Sequence, residues 1–456
     1  MPKGDRRAED EARSAVVARE TSAADAPTAS SDASPADNCP SFSALRPLYL
    51  RHRTADVRSL ALQFAHLPER ERTALLTQIA GWQMACRKLP SYAAVDEVLY
   101  PPHLPLEQCS SELTALHKAS IVRRLSPGAM GSLIDLTGGF GVDCLFLSRG
   151  FAQTDYVEQS ADLCRLARHN FAVLGAGRIR VHCADCLRHL STLPTVDWIL
   201  LDPARRDSLG GRTVGLRECQ PDVTNLVPLM LRRAHHVMLK LSPMLSLTEP
   251  LGLLPGVQEL DVVAVDGECK ELICVLSAER AILMADDPAS GADQVPILCT
   301  DIDPHSPFGN RQLPREQTFA FTRHQEAETP LVLADALGDY LYEPNAAILK
   351  AGAFRTIAQR YGLGKLHANT HLYTSASWVP DFPGRRFRVV STYGWNKAGL
   401  KALHSRVSRA NLTVRNFPAQ AAELRKRLRL ADGGDTYLFA TTLADGSRQI
   451  VECRKA

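Results

Sequence analysis

The chain has 456 residues, of which 45% are hydrophobic and 23% charged, and a formal net charge of +3. This length allows about two to four domains of ordinary globular composition. The sequence has no run of about 18 apolar residues that would predict a membrane span. It begins with a polar segment unlike a secretory signal, and its 12 cysteines lack the spacing of a disulfide scaffold. We therefore predict a reduced, cytoplasmic protein.

The first part of the chain predicts a tail and a helical region. Residues 1–40 are rich in Ala, Ser, Asp and Glu without periodicity, which is typical of a disordered tail. Residues 41–130 are predicted to be helical, because apolar residues recur at helical spacing in Val57–Phe64 and again in Arg72–Trp82.

Residues 131–280 predict a doubly wound α/β domain. Four successive predicted strands end in the acids Asp135, Glu158, Asp185 and Asp202. Ligands of open α/β sheets bind beyond the carboxyl ends of the strands, so these acids are expected to surround one cleft. The alternative is that each acid caps the helix that follows it. A fifth strand at Val237–Leu241 and an antiparallel hairpin complete this domain. The two arms of the hairpin are predicted at 257–265 and 271–278.

The segment Thr137–Gly141 predicts a tight loop that binds a nucleoside cofactor. Gly139 and Gly141 let the backbone turn sharply and approach a ligand closely. Glu158 follows about 20 residues later, where a carboxylate can accept both ribose hydroxyls. A dinucleotide loop prefers a third glycine, and Asp143 in the first helical turn would repel a pyrophosphate.

The remaining sequence divides into a mixed region and a basic module. Residues 285–315 predict a linker, and Glu343–Lys350 predicts a helix with Pro344 near its first turn. The last block predicts the order β-α-β-α-β-β. From Arg385 to the end it carries 15 Lys or Arg and five Asp or Glu, a net charge of +10 that leaves −7 for the other 384 residues. This asymmetry indicates a polyanion partner, with Arg425–Arg429 and Arg385–Arg388 as candidate contacts. The alternative is a solvated surface that binds nothing.

The glycine loop and the strand-end acids resemble the class I S-adenosylmethionine (SAM) methyltransferases. The resemblance implies that Asp135, Gly139 and Gly141 face the methionine part of SAM, with Thr137 in place of the family's usual first glycine. It further implies that Glu158 holds the ribose and that Asp185 holds the adenine amino group. The predicted hairpin also favours SAM, because a dinucleotide sheet usually lacks it.

A longer series of motifs narrows the resemblance. It resembles a bacterial methyltransferase-like family with a ferredoxin-like segment and a C-terminal THUMP-like domain. The motifs are Glu107–Ala119, Asp135–Asp143, Asp202–Asp207, Lys240–Met244, Glu268–Glu271 and Leu341–Lys350. The implied fold is α/β: a Rossmann-like, seven-stranded methyltransferase domain over 131–280, preceded by the helical region. Residues 281–380 would form a linker and the ferredoxin-like segment, and 381–456 the α+β THUMP-like module. Such modules imply an RNA substrate, either ribosomal or transfer RNA.

The resemblance places Asp202, Pro203 and Arg205 on the acceptor side of the cleft, with Asp202 orienting the acceptor. Methyltransferases that act on the amino groups of bases have an aromatic residue where this chain has Arg205, which argues against that reaction. Enzymes that methylate uracil C5 use a cysteine after the fifth strand. This chain has Lys240–Pro243 there, which excludes a covalent pyrimidine mechanism.

Several alternatives remain open from the sequence alone. The chain could be a methyltransferase with a protein or small-molecule acceptor, or a non-catalytic nucleic-acid-binding protein that keeps the fold. A dehydrogenase is the remaining alternative. Cys183 and Cys186 form a C-x-x-C pair, but no second pair has suitable spacing, so we predict two semi-buried thiols rather than a metal site. The sequence does not specify an oligomeric state.

Overall fold

The computed structural model describes residues 42–128, 130–204, 215–283, 291–305 and 315–456. The tail predicted over 1–40 and the acceptor-side residue Arg205 lie outside these described residues. The described chain begins with α1 Phe42–His52, α2 Val57–Gln63, α3 Glu69–Lys88, α4 Pro90–Ala93, α5 His103–Gln108 and α6 Glu112–Leu125. The predicted N-terminal helices are therefore confirmed. The last of them begins at a side-chain cap, because Ser111 accepts a hydrogen bond from the N–H of Thr114 at 3.2 Å.

A nine-stranded sheet follows the helices. Its strands are β1 Met130–Asp135, β2 Phe151–Glu158, β3 Arg180–Cys183, β4 Val196–Leu201, β5 Ala234–Leu241, β6 Val257–Val265, β7 Glu268–Ser277, β8 Ile297–Ile302 and β9 Glu316–Phe321. The spatial order is β3-β2-β1-β4-β5-β7-β6-β8-β9. Strands β1 to β5 are parallel to one another, and β7 is antiparallel to both β5 and β6. The expected Rossmann-like sheet with its terminal hairpin is confirmed in the first seven strands.

Helices cover both faces of this sheet, so its central strands can be apolar throughout. The helices that accompany it are α7 Val142–Ser148, α8 Ala161–Val173, α9 Cys186–Thr192, α10 Val223–Leu231, α11 Thr248–Leu253 and α12 Ala278–Leu283. In β4, the successive residues Trp198, Ile199 and Leu200 are each at most 2% exposed. Strands buried on both faces show such continuous apolar runs, which explains why the strand ends were predictable.

The linker predicted over 285–315 is wrong for part of its length. Strand β8 pairs in parallel with β6, and β9 pairs antiparallel with β8, so both extend the large sheet. The polar residues on either side of β8 conceal this role. Its Thr300 is fully buried and donates a hydrogen bond to Asp261 of β6 at 2.9 Å. A polar residue can be buried in the interior of a sheet when it has a hydrogen-bond partner there.

A second sheet of seven strands contains the C-terminal module. Its strands are β10 Tyr340–Pro344, β11 Gly364–His367, β12 Thr370–Ser375, β13 Gly384–Gly394, β14 Asn411–Arg415, β15 Thr436–Thr442 and β16 Arg448–Lys455. The order is β11-β12-β10-β13-β16-β15-β14. The remaining helices are α13 Arg323–Glu328, α14 Ala346–Ala351, α15 Phe354–Tyr361, α16 Lys397–Arg406 and α17 Ala421–Leu428. From β13 onward the order is the predicted β-α-β-α-β-β.

The helix predicted over 343–350 begins later than expected. Glu343 and Pro344 end strand β10, and the helix starts at Ala346. Asn345 caps it by accepting a hydrogen bond from the N–H of Ile348 at 3.0 Å. Proline at a first helical position is favourable, but an asparagine N-cap decides the start here.

The two sheets are joined through a shared apolar core. Ile348 of α14 and Ile357 of α15 belong to the same buried cluster as Leu260 and Val262 of β6. Strand β10 in turn pairs with β13, so the segment with α14 and α15 is continuous with the basic C-terminal module. The contacts connect the basic module to the large sheet through a packed intermediate layer.

Candidate active site

The glycine loop between β1 and α7 has the shape that its sequence requires. Gly139 and Gly141 have φ angles of 54° and 83°, which residues with a Cβ rarely adopt. A Cβ on Gly138 would lie 2.1 Å from the ring of Tyr156, whereas one on Gly139 would meet nothing nearer than the carbonyl oxygen of Thr137 at 3.8 Å. The loop is therefore packed against Tyr156 and open at Gly139, where a ligand can approach the backbone.

Glu158, at the end of β2, holds this loop in place. Its Oε2 accepts a hydrogen bond from the N–H of Gly139 at 3.0 Å, and its Oε1 accepts one from the N–H of Ser160 at 2.8 Å. The hydroxyl of Tyr156 donates to the carbonyl oxygen of Gly139 at 2.6 Å. The carboxylate thus lies beside the open part of the loop, and each of its oxygens retains a lone pair for another donor.

Asp135, at the end of β1, is almost completely buried, with 2% of its surface exposed. Burial raises its pKa to about 8, and the nearby carboxylates of Asp143, Asp202 and Glu158 add to this rise. The N–H of Thr137, 3.0 Å from Oδ1, favours the ionised form but does not offset burial. A cation placed beside this carboxyl would favour its ionised form, because the cation would compensate the buried negative charge.

Thr137 ties the end of β1 to the end of β4. Its Oγ1 accepts a hydrogen bond from the N–H of Asp202 at 2.6 Å, while its own N–H donates to Asp135. A glycine could not make the first of these bonds. This contact gives a physical reason for threonine where the related loops usually have glycine.

Asp202 forms an ion pair with Lys240 of the neighbouring strand β5. The lysine side chain is 11% exposed and the aspartate side chain 39%. Burial alone would lower the pKa of Lys240, but the carboxylates of Asp202, Asp143 and Glu271 outweigh burial and raise it. Lys240 therefore stays charged at neutral pH and fixes the side chain of Asp202 just beyond the end of β4. Pro203, the next residue, is buried.

Asp185 differs from the other three strand-end acids. Its Oδ1 accepts hydrogen bonds from the N–H groups of Leu187 and Arg188, both at 3.0 Å, so it caps α9. Of the two roles considered for the strand-end acids, Asp185 therefore has that of a helix cap. Helices α7 and α8 are instead capped by Gly141 and Ser160, which leaves Asp135 and Glu158 free of that task.

A buried ion network supports the start of α7. Lys118 is fully buried, and its Nζ lies 2.5 Å from Oε1 of Glu271 and 3.2 Å from Oδ1 of Asp143. Ser110 donates to the other oxygen of Asp143 at 2.6 Å. These residues belong to three of the sequence motifs, but the sequence did not predict that the motifs contact one another. The one sequence feature that could have indicated a buried ion pair is Lys118 itself, because much of α6 around it is apolar.

The N-terminal helices cover the outer side of the glycine loop. Phe140 projects from the loop between the rings of Tyr92 and Tyr100, with centroid distances of 5.3 Å and 6.4 Å. These rings belong to one buried cluster that also includes Tyr156 and Phe171. The loop is therefore held between the helical region and the large sheet.

Comparison with known proteins identifies the family. Residues 340–383 match a family model described as a ferredoxin-like domain, and residues 384–455 match one described as THUMP domain-like. A crystal structure from Porphyromonas gingivalis W83, named a "putative methyltransferase", has a TM-score of 0.76 and 34% sequence identity to this chain. The match covers 91% of this chain and 98% of that chain. The chain belongs to this methyltransferase family.

Two curated relatives support the assignment of the chain to this family. Both come from Mycobacterium tuberculosis, strains CDC 1551 / Oshkosh and H37Rv, and both are named uncharacterized S-adenosylmethionine-dependent methyltransferases. Each is 27% identical over 355 residues, which cover 75% of this chain and 84% of the relative. The resemblance to SAM-dependent enzymes with ferredoxin-like and THUMP-like modules is confirmed.

The residues of the cleft fit the cofactor SAM. The methionine part of SAM carries an ammonium group, and its sulfonium is a second positive charge. Asp135 is a buried carboxyl without a cationic partner among the described residues, and the loop is open at Gly139. Glu158 has acceptor capacity beside the same loop. A cationic nucleoside therefore complements this methyltransferase better than a pyrophosphate does.

Several cations of the C-terminal module are already engaged by other side chains of the chain. Arg385 and Arg415 both contact the buried carboxylate of Glu343. Arg425 pairs with Asp432 at 2.6 Å, and the guanidinium carbon of Arg427 lies 4.5 Å from the ring centroid of Trp395. Part of the predicted polyanion surface is therefore engaged within the methyltransferase itself.

The described part of the methyltransferase has neither a helix that could cross a membrane nor a cluster of side chains that could hold a metal ion. No helix within it is both long enough and apolar enough to cross a membrane. No group of three or more His, Cys, Asp or Glu side chains within it has the arrangement of a metal site. Cys183 is exposed and Cys186 half-buried, on either side of Asp185.

Proposed function

We propose that this SAM-dependent methyltransferase acts on RNA, either ribosomal or transfer RNA. One observation carries the proposal. A single chain joins a sheet with acids at its strand ends to a module that has a net charge of +10 and matches a THUMP-like family model. A concentrated positive charge favours a polyanionic substrate, since phosphates supply most of the affinity in nucleic-acid binding.

In this proposal the acids of the cleft hold the cofactor. Asp135 pairs with the ammonium group of the methionine part, and Gly139 and Gly141 allow the backbone to lie against it. Glu158 accepts hydrogen bonds from the ribose hydroxyls while it keeps its bonds to the loop. Thr137 fixes the relative position of Asp135 and Asp202.

Asp185 has a more limited role in the proposal. Its Oδ1 is used by the two cap bonds of α9, so Oδ2 is the oxygen available to the adenine amino group. The residue is exposed, which makes an added hydrogen bond weaker than one to a buried acid.

The acceptor side of the cleft is formed by Asp202, Pro203 and Arg205. The cofactor supplies an electrophilic methyl group on a positively charged sulfur. The protein must then hold the acceptor close to that group and in line with it. Asp202 orients the acceptor by accepting a hydrogen bond, and Lys240 fixes the carboxylate in one position. The assignment of Arg205 rests on the sequence, because that residue lies outside the described part of the chain.

The transfer of labelled methyl groups from SAM tests this proposal. RNA from a strain that lacks the gene is the acceptor, and RNA from the parent strain is the control, because its sites are already methylated. We expect label in the RNA of the deletion strain and little in that of the parent. Asp202→Ala should abolish incorporation, while Asp162→Asn, an exposed change in α8, should not alter it.

Two results would contradict the proposal. Label in protein or in small molecules rather than RNA would favour the alternative acceptors. RNA retention without label in any fraction would favour a non-catalytic RNA-binding protein.

A further inference from the structure

A row formed by one tyrosine and by arginines that have no carboxylate partner in the described part of the chain crosses three strands of the C-terminal sheet. In the antiparallel register, Tyr340 of β10 lies opposite Arg388 of β13, and Arg388 lies opposite Arg454 of β16. Residues directly opposite in antiparallel strands share one face of the sheet. Arg386 precedes Arg388 by two positions, so it lies on the same face. Arg388 and Arg454 are exposed, and Arg386 is half-buried.

An exposed aromatic ring adjoins this row. Trp378 is 37% exposed, and its ring centroid lies 5.3 Å from that of Tyr340. The guanidinium carbon of Arg386 lies 5.6 Å from the Trp378 ring centroid. We call the surface formed by Tyr340, Trp378, Arg386, Arg388 and Arg454 the arginine–tryptophan strip.

The arginines of the strip differ from three other arginines of the module, which are paired with carboxylates. Arg385, Arg415 and Arg425 each have a carboxylate partner. Within the described ranges, none of the three arginines of the strip forms an ion pair with a carboxylate. Asp339 and Asp381 lie nearby in sequence, and both are exposed. The free cations are therefore available to phosphates.

We propose that the arginine–tryptophan strip binds a single-stranded segment of RNA. The inference rests on the proposed function and assigns its contact surface. Arginines contact the phosphates, and an exposed indole offers a flat surface on which an unpaired base can stack. Bases within a duplex are already stacked on each other, so they cannot use Trp378 in this way. The strip lies where the ferredoxin-like and THUMP-like segments meet, because β10 pairs with β13.

Binding of a short labelled RNA of mixed sequence, measured by fluorescence anisotropy, tests the strip. Trp378→Ala should weaken binding of the single strand about tenfold, the loss expected for one stacked base. Trp378→Phe should restore most of the affinity, since it keeps a stacking ring. The double variant R388Q/R454Q should reduce the slope of log affinity against log salt by about 1.4, the value for two phosphate contacts on a single strand.

A matched control carries the same charge change elsewhere in the module. Lys397 and Lys401 are exposed on α16, and K397Q/K401Q should lower the affinity less than R388Q/R454Q. Circular dichroism of every variant establishes that the fold is kept. A duplex of the same sequence should bind more weakly than the single strand and should not respond to Trp378→Ala.

The outcomes separate this inference from the proposed function. If the wild-type protein binds no RNA at low salt, the RNA substrate and the strip both fail. If the wild type binds and the strip variants bind equally well, the strip is wrong while the RNA substrate stands. Equal binding of duplex and single strand, with equal losses in the variants, would contradict the single-stranded partner.

Discussion

Three strand-end acids of the large sheet and two arginines of the C-terminal sheet are held by different kinds of partner. Asp135, Glu158 and Asp185 accept bonds from backbone N–H groups at most 19 residues away in the chain. Arg385 and Arg415 instead pair with Glu343, which is 42 and 72 residues away. A local motif can fix where an acid lies, whereas the availability of a cation depends on distant partners. Substitutions in each region test this difference.

The largest expected effect lies in the buried network behind the cleft. Lys118→Met removes one partner of a fully buried ion pair and leaves Glu271 and Asp143 without their cation. Losing one partner of such a pair costs about 3–5 kcal/mol of unfolding free energy. Thermal melting should therefore show a marked loss of stability.

The control for this variant is Lys270→Met, in the same strand as Glu271. Lys270 pairs with Glu268 on the surface, with side-chain exposures of 40% and 73%. Exposed pairs contribute about 0–1 kcal/mol, so its melting should be nearly unchanged. Equal effects of the two variants would contradict the assigned network.

The next effect concerns the charge of Asp135. Burial raises its pKa to about 8, so the free protein holds this carboxyl mainly protonated at lower pH. Binding a cationic cofactor favours the ionised form and releases a proton. The affinity for SAM should therefore rise with pH up to about 8, by at most about tenfold per pH unit.

Asp135→Asn provides the comparison for this titration. The amide keeps the shape of the side chain and has no proton to release, so the variant should bind SAM more weakly. The ammonium group of the cofactor titrates near pH 8 as well, and this contribution is common to both proteins. Calorimetry should show that the rise with pH disappears in the variant. A rise of the same size in both proteins would remove Asp135 from the cofactor site.

A smaller effect is expected at Thr137. Thr137→Val keeps the volume but removes the acceptor for the N–H of Asp202. An unsatisfied buried donor costs about 1–3 kcal/mol of stability. Thr137→Ser keeps the hydroxyl and should melt close to the wild type. If valine and serine melt alike, the link between β1 and β4 contributes little.

The smallest effect is expected at Arg425, which the sequence placed in the polyanion surface. Its guanidinium pairs with Asp432 and also donates to the carbonyl oxygen of Ala410 at 3.3 Å. The side chain of Asp432 is 79% exposed, so the pair should contribute about 0–1 kcal/mol to stability. R425Q should also change RNA affinity less than R388Q/R454Q does. A larger loss from R425Q would show that a cation can contribute to RNA binding even when it is paired with a carboxylate.

Much of the sheet could be predicted from the sequence because the signals are local. Asp135, Glu158 and Asp202 each follow a strand that ends at or next to the acid, whereas β3 ends at Cys183, two residues before Asp185. The glycine loop was predictable because glycine is strongly favoured at positive φ angles such as those at positions 139 and 141. The cap of α9 by Asp185 was one of two open alternatives, and only the geometry decided between them.

The features that the sequence did not predict depend on contacts between distant segments. Strand β8 lies in a polar stretch, and its burial depends on pairing with β6 and β9. Lys118 and Glu271 are 153 residues apart, so their ion pair left no local pattern. The residues of the arginine–tryptophan strip lie side by side because of the strand register, which cannot be read from composition or charge.

A crystal structure with S-adenosylhomocysteine, the product form of the cofactor, tests the central claim most directly. The account predicts the ribose hydroxyls within hydrogen-bond distance of Glu158, the amino group beside Asp135, and the backbone of Gly139 against the ligand. Binding of the nucleoside at another edge of the sheet, with both carboxylates unchanged and unoccupied, would contradict it.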